Sequence, residues 1–181
     1  MNDLKLLISH EQIAERVAPM GRQITADSDG PVIFIGVLKG AAIFLSDLVR
    51  HVQIVATFDF IGVASYGNQF DRDKVWDSSG EVRLTKDVDQ SLRGKDVVLV
   101  EDILDTGLTL TFLKRLLLGH EPKNLRVAVL LDKPSRRKLL VEADYVGFTI
   151  ADEFVVGYGM DHAGQYRHLP DIHVVPNVAL T

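Results

Sequence analysis

The sequence contains no cysteine, a single tryptophan and fewer basic than acidic residues. The missing cysteine excludes disulfides, thiolate zinc centres, iron–sulfur clusters and a cysteine nucleophile, and fits a reducing compartment. With 20 Lys and Arg against 25 Asp and Glu, the formal net charge is -5. That balance argues against a broad basic face for duplex nucleic acid, which would need many Lys/Arg–phosphate contacts. Taken alone it also disfavours smaller anionic ligands, an expectation that the motifs below restrict. No apolar run approaches the ~18 residues of a membrane span. The start, Met1-Asn2-Asp3-Leu4, carries an early acid and only a short apolar stretch after it. We expect a cytoplasmic protein with neither a nucleic-acid nor a membrane partner.

Against these absences stand 181 residues, 46% of them hydrophobic and 25% charged, which is a globular composition with a sizeable core. Ser9-His10-Glu11-Gln12 has the form of a capping box, and Ile13, Val17 and Ile24 follow at helical spacing. Pro19 is expected to kink or split that helix. Val32 to Leu38 is an unbroken apolar run, suited to a strand buried on both faces. Ala41 to Val52 reads as a helix, Gln53 to Ala64 as a strand, and Glu81 to Thr85 as a short strand. Val97 to Val100 and Leu125 to Leu131 are two further apolar strands, with a leucine-rich helix over 108–118 between them. The pattern predicts an α/β protein with a parallel-stranded central sheet flanked by helices, a single domain over 1–181, and ligands at the carboxyl ends of the strands. Tyr66 to Gly80 has no periodicity, and a loop of that length is functional or disordered.

The most informative segment runs from Val97 through Glu101-Asp102-Ile103-Leu104-Asp105-Thr106-Gly107-Leu108-Thr109. A buried strand meets two adjacent carboxylates, then a third, then a Thr-Gly-x-Thr turn that opens a helix. Glu101 and Asp102 only accept, which suits vicinal hydroxyls or a hard cation. The backbone amides from Thr106 to Thr109, with two hydroxyls at a helix N-terminus, form an anion cradle, and Gly107 admits close approach. A capped helix after an acidic loop would explain any one of these residues but not the set. The arrangement suits a sugar phosphate.

This segment resembles the phosphoribosyl-pyrophosphate motif of the type I phosphoribosyltransferases, and the chain from about Leu6 to Val175 is similar to their bacterial hypoxanthine (hypoxanthine-guanine) branch. The resemblance implies that family's fold, with a small hood and a mobile lid. It implies that Leu38-Lys39-Gly40 contacts pyrophosphate through a strained, often cis, peptide, and that Ser65-Tyr66 begins the lid. The stretch from Asn68 to Asp77, which contains Trp76, is longer and more charged than the family's usual lid. Lys133 matches a lysine that reads the purine's exocyclic oxygen, Phe154 one that stacks on the base, and Val155 one whose backbone reads its edge. Asp161 matches a magnesium ligand, assisted by Glu101 and Asp102, and Arg167 a pyrophosphate contact. Ile103 and Leu108 fall within the matched motif. Asp105 matches the general base for the purine N7 proton. Read without the family, Lys39 and Lys133 could be solvated charges and Phe154 a core residue.

The implied reaction joins phosphoribosyl pyrophosphate and a 6-oxopurine base, hypoxanthine or guanine, with Mg2+ as cofactor, in a homodimer or homotetramer. The rival is a regulatory protein that keeps the fold and binds nucleotides without turnover. Other signals point nowhere. Gly157-Tyr158-Gly159 lacks the third glycine of a dinucleotide fingerprint. His162, His168 and His173 lack metal-binding spacing and read as surface or loop residues. Arg136-Arg137-Lys138 reads as a solvated helix face.

Overall fold

The computed structural model describes residues 4–65 and 82–176. The chain opens with β1 (Lys5–Ile8) and α1 (His10–Ala26), and the expected capping box is formed. The Ser9 hydroxyl accepts the Gln12 amide while the Gln12 side chain accepts the Ser9 amide. Helix α1 runs unbroken through Pro19, contrary to a split there, and buries Ile13, Val17, Met20 and Ile24 on one face. Packing of that apolar stripe outweighs the one donor that proline removes.

Then follow β2 (Val32–Leu38), α2 (Ala42–Val49), β3 (Ala56–Ser65), β4 (Val82–Lys86), β5 (Asp96–Leu104), α3 (Leu108–Leu118) and β6 (Asn124–Asp132). Helix α2 is shorter than the apolar spacing predicts. A 3₁₀ turn over Pro134–Arg136 leads to β7 (Tyr145–Thr149), β8 (Val155–Val156) and β9 (Ile172–Val174). Six strands form the central sheet in the order β4-β3-β2-β5-β6-β7. All neighbours are parallel except β3 and β4, which are antiparallel. Continuous apolar runs can fill the middle strands because helices cover them: Val97 to Val100 and Val127 to Leu131 have no solvent exposure.

The register carries the carboxyl ends of β2, β5 and β6 to one edge of the sheet. Leu38 pairs with Gly62, and Leu104 with Asp132. A second, antiparallel sheet, β1-β9-β8, draws its strands from both ends of the chain and forms the expected hood. Among the described residues no helix is long and apolar enough to cross a membrane. The expected lid, with Tyr66 and Trp76, lies outside the described residues.

Candidate active site

Strand β5 carries its ladder four residues beyond the apolar tetrad, so Glu101 and Asp102 are strand residues and not the start of a loop. This matters electrostatically. Glu101 is 6% exposed and its Oε2 has no hydrogen-bond partner. Burial, reinforced by the neighbouring Asp102 charge, pushes its carboxyl up to about 8. Burial also raises Asp102, to about 6, against the lowering effect of its own amide and that of Ile103. Gly40 packs on the Asp102 carboxylate so closely that any Cβ there would overlap it. The Leu38–Lys39 peptide is cis. The turn over 38–40, where pyrophosphate is expected, and Asp102 are thus packed together.

A cavity of about 330 Å³ opens beside this turn, lined by Leu38, Lys39, Gly62, Val63, Thr85 and Arg167. It brings together the two cations assigned to pyrophosphate. Gly62 and Thr85 carried no sequence signal; they are placed by the β2–β3–β4 register. Arg167 donates to the Gly159 carbonyl at 2.5 Å and pairs with Asp161 Oδ1 at 2.5 Å, while Asp161 Oδ2 accepts the Gly164 amide at 2.6 Å. The expected metal anchor and the expected pyrophosphate arginine therefore hold each other.

On the other side of Asp102 the chain turns into α3. Gly107 is the N-cap, with φ of 84°, a conformation that glycine adopts without strain. A Cβ at Gly107 would meet Val141 Cγ1 at 2.7 Å and Arg137 Cδ at 3.2 Å. On its Cβ side Gly107 is thus packed by the 137–141 segment. Thr106 Oγ1 accepts the Leu108 amide at 3.4 Å, and the other first-turn amides of α3 have no intrahelical acceptor. Thr106, Leu108 and Thr109 line this turn, half-buried, and Ile103 packs partly into the core.

The segment over 136–139 braces this turn. Arg137 donates to the Leu104 carbonyl at 3.1 Å, to the Asp105 carbonyl and to Asp132 Oδ1, and the Lys138 and Leu139 amides donate to the Thr106 carbonyl at 2.9 and 3.2 Å. These bonds occupy the carbonyls of 104–106 and brace the turn at which the anion cradle is expected. The expectation of a solvated helix face is overturned for Arg136 and Arg137, which are half-buried. Arg136 faces the Asp105 and Asp152 carboxylates and Arg137 two backbone carbonyls and the Asp132 carboxylate, a set of partners that no sequence pattern announces.

Lys133 is 3% exposed, which rules out a solvated charge. Burial lowers its ammonium pKa, and the charges of Asp105 and Asp152 act in the opposite sense. Phe154 is half-exposed rather than core, and its ring meets His162 edge-on at 5.2 Å. Val155 is buried in β8 opposite Val174, and the Phe154 carbonyl accepts the Val175 amide at 2.9 Å. Ser65 ends β3, its backbone paired with Val82. His162 and His168 are exposed as expected. His173 is not: it lies in β9 with Nδ1 buried and without a partner.

A buried lysine, a nearby carboxylate and an acidic strand end thus gather at the carboxyl edge of a parallel sheet, and comparison with known proteins gives the family. The phosphoribosyl transferase domain family matches residues 6–163. The chain belongs to the phosphoribosyltransferase family. It is 45% identical over 172 residues to the hypoxanthine-guanine phosphoribosyltransferase of Bacillus subtilis, covering 94% of this chain and 92% of that one. It is 44% identical over 172 residues to the hypoxanthine phosphoribosyltransferase of Escherichia coli, covering 93% of each. A crystal structure of a hypoxanthine-guanine phosphoribosyltransferase from Bacillus anthracis superposes with a TM-score of 0.86 at 49% identity, over 94% of this chain and 98% of that one.

The residues that a phosphoribosyltransferase would offer a divalent cation here are hard oxygen donors. Glu101, Asp102 and Asp161 do not form a closed cage. Among the described residues, the one trio of His, Asp or Glu side chains whose ligand atoms lie within 4.8 Å of one another is His10, Glu11 and Asp171, where the start of α1 meets the residue before β9. That trio is already satisfied internally, with His10 bonded to both acids at 2.9 Å. The orphaned Glu101 Oε2 and the nearby acids fit an ion that takes most of its ligands from substrate and water, as Mg2+ does.

Proposed function

We propose that this phosphoribosyltransferase moves the 5-phosphoribosyl group of phosphoribosyl pyrophosphate onto N9 of a 6-oxopurine, hypoxanthine or guanine, giving IMP or GMP and pyrophosphate in purine salvage. The observation that carries the reading is Lys133, a buried ammonium at a strand end, close enough to Asp105 to feel its charge. An ammonium only donates, so it accepts a 6-oxo partner and rejects a 6-amino one, and an unpaired buried donor supports discrimination of ~10⁴. The names of the B. subtilis and E. coli relatives support the same substrate class.

In the reaction, purine N9 attacks the anomeric carbon as its bond to the pyrophosphate oxygen breaks, through an oxocarbenium-like transition state. Phe154 stacks on the base and Lys133 fixes its 6-oxygen. Asp105 accepts the N7 proton, so that N9 attacks without a positive charge building on the ring. The amides of 106–109 hold the 5′-phosphate, and Glu101 and Asp102 face the ribose hydroxyls. Lys39 and Arg167 receive the departing pyrophosphate. Mg2+, held by Asp161 with Glu101 and Asp102 assisting, would offset the charge of the leaving group when bound.

The test is ultraviolet absorbance on mixing enzyme, phosphoribosyl pyrophosphate, Mg2+ and hypoxanthine, guanine, xanthine or adenine in turn. IMP or GMP should form, and AMP should not. Tight nucleotide binding without any product would favour the regulatory reading. Asp105→Asn should lower kcat by about 10²–10⁴ while ribose-phosphate binding survives; near-normal turnover in that variant would remove Asp105 from the role of base.

A further inference from the structure

Arg136 bridges two carboxylates beside Lys133. Its Nε lies 3.2 Å from Asp105 Oδ1 and 3.6 Å from Asp152 Oδ1. The side chain is 23% exposed and rises from the 3₁₀ turn Pro134–Arg136, whose last amide donates to the Lys133 carbonyl at 3.1 Å. The two carboxylates belong to different parts of the chain. Asp105 opens the phosphate loop after β5, and Asp152 lies in the short connection between β7 and Phe154. That connection is itself tied to β6, through the Ile150 amide on the Asp132 carbonyl at 2.9 Å. Lys133, Asp105, Asp152, Glu153 and Arg136 make up one cluster of two cations and three anions around the lysine.

We infer that Arg136 is a positioning residue that orients Asp105 and, through Asp152, the segment bearing Phe154, so that the base and the stacking ring close on the same purine. The inference rests on the reading of Asp105 as general base. A carboxylate on a glycine-flanked loop has several rotamers, and a misplacement of about 1 Å can cost ~10²-fold in rate. A guanidinium anchored in a 3₁₀ turn, with fixed donor directions, restricts those rotamers. The Asp105 arm of the bridge then acts on kcat, and the Asp152 arm on the purine KM. The 5′-phosphate cradle is braced separately by Arg137, so the KM for phosphoribosyl pyrophosphate stays outside its influence.

The experiment is steady-state kinetics on Arg136→Ala, Arg136→Lys, Asp152→Asn, Asp105→Asn and the two double variants of Arg136→Ala with each aspartate change. Thermal melting of each checks that it folds. Arg136→Ala should lower kcat ~30-fold and raise the purine KM ~10-fold, with the KM for phosphoribosyl pyrophosphate within about twofold. Arg136→Lys should recover part of both losses. Asp152→Asn should raise the purine KM alone, and adding it to Arg136→Ala should change that constant little further. Wild-type constants in Arg136→Ala, beside a disabled Asp105→Asn, would overturn the inference and leave the base assignment standing. Fully multiplicative effects of Arg136→Ala and Asp152→Asn on the purine KM would also overturn it. Near-normal turnover of Asp105→Asn would instead defeat the base assignment, and with it the kcat arm of the bridge.

Discussion

At the scale of single residues the acidic strand end costs the ligand-free protein stability. Glu101 gains nothing from ionising in a site where its Oε2 has no partner, so the folded state holds its proton to about pH 8 while an exposed glutamate releases it near 4.5. The native state therefore binds more protons than the unfolded chain between those values. Stability falls as pH rises through that window, and it is fully present below it. Glu101→Gln imitates the protonated carboxyl and should flatten the slope. We expect its melting temperature at pH 8 to exceed that of the wild type by about 5 °C, with the two converging near pH 5. Parallel melting curves at both pH values would show that Glu101 ionises freely in the folded protein. The activity of the variant should fall, because the proposed function sets the same carboxylate against the ribose hydroxyls. The acidic balance that first argued against anionic ligands thus applies to extended polyanions. On the proposed function a sugar phosphate would be met by backbone amides and its pyrophosphate by Lys39 and Arg167.

At the scale of elements, the two neighbouring arginines divide their work. Arg137 is 15% exposed and engages two loop carbonyls and the Asp132 carboxylate. Its loss leaves those acceptors poorly solvated, and Arg137→Ala should destabilise the fold by about 2–3 kcal/mol in urea unfolding. It should also raise the KM for phosphoribosyl pyrophosphate at least ~10-fold, where Arg136→Ala acts on the purine. An Arg137→Ala variant of normal stability would mean that the phosphate loop holds itself. This brace was not legible in the sequence, because Arg-Arg-Lys beside a proline reads equally as solvated charge. What was legible is local: the Ser9 capping box, the strand over 32–38 and the helix over 108–118 all follow from periodicity and capping. The extent of β5 was hidden because its last residues include charged ones, which strand patterns exclude unless a site needs them. Strands β1 and β9 were hidden for another reason. They are four and three residues long and pair across most of the chain, so nothing near them in sequence specifies them.

At the scale of the whole molecule, the proposed site lies between a core that would supply Lys39, the acidic strand end and the turn over 105–109, and a hood region that would supply Phe154, Asp161 and Arg167. How firmly the two are joined sets how well these groups stay in register. The joint nearest the pyrophosphate turn is Tyr158, buried in the turn after β8, whose hydroxyl donates to Asp47 Oδ2 of α2 at 2.6 Å. Burial and the Asp47 charge both push the phenol pKa up, so the hydroxyl keeps its proton and remains a donor throughout the working range. Asp47 is itself 41% exposed and can be rehydrated when the phenol is lost. The cost of Tyr158→Phe is therefore that of one charge-assisted hydrogen bond, about 1–2 kcal/mol, rather than that of a stranded buried charge. The urea midpoint should fall with the slope unchanged. The KM for phosphoribosyl pyrophosphate should rise about threefold, because Arg167 hangs from the Gly159 carbonyl one residue away. The purine KM should move less, since Phe154 is held by the β8–β9 pairing on the other side of the turn. A stability loss with both KM values unchanged would show that the hood is held in register by its strand pairing alone.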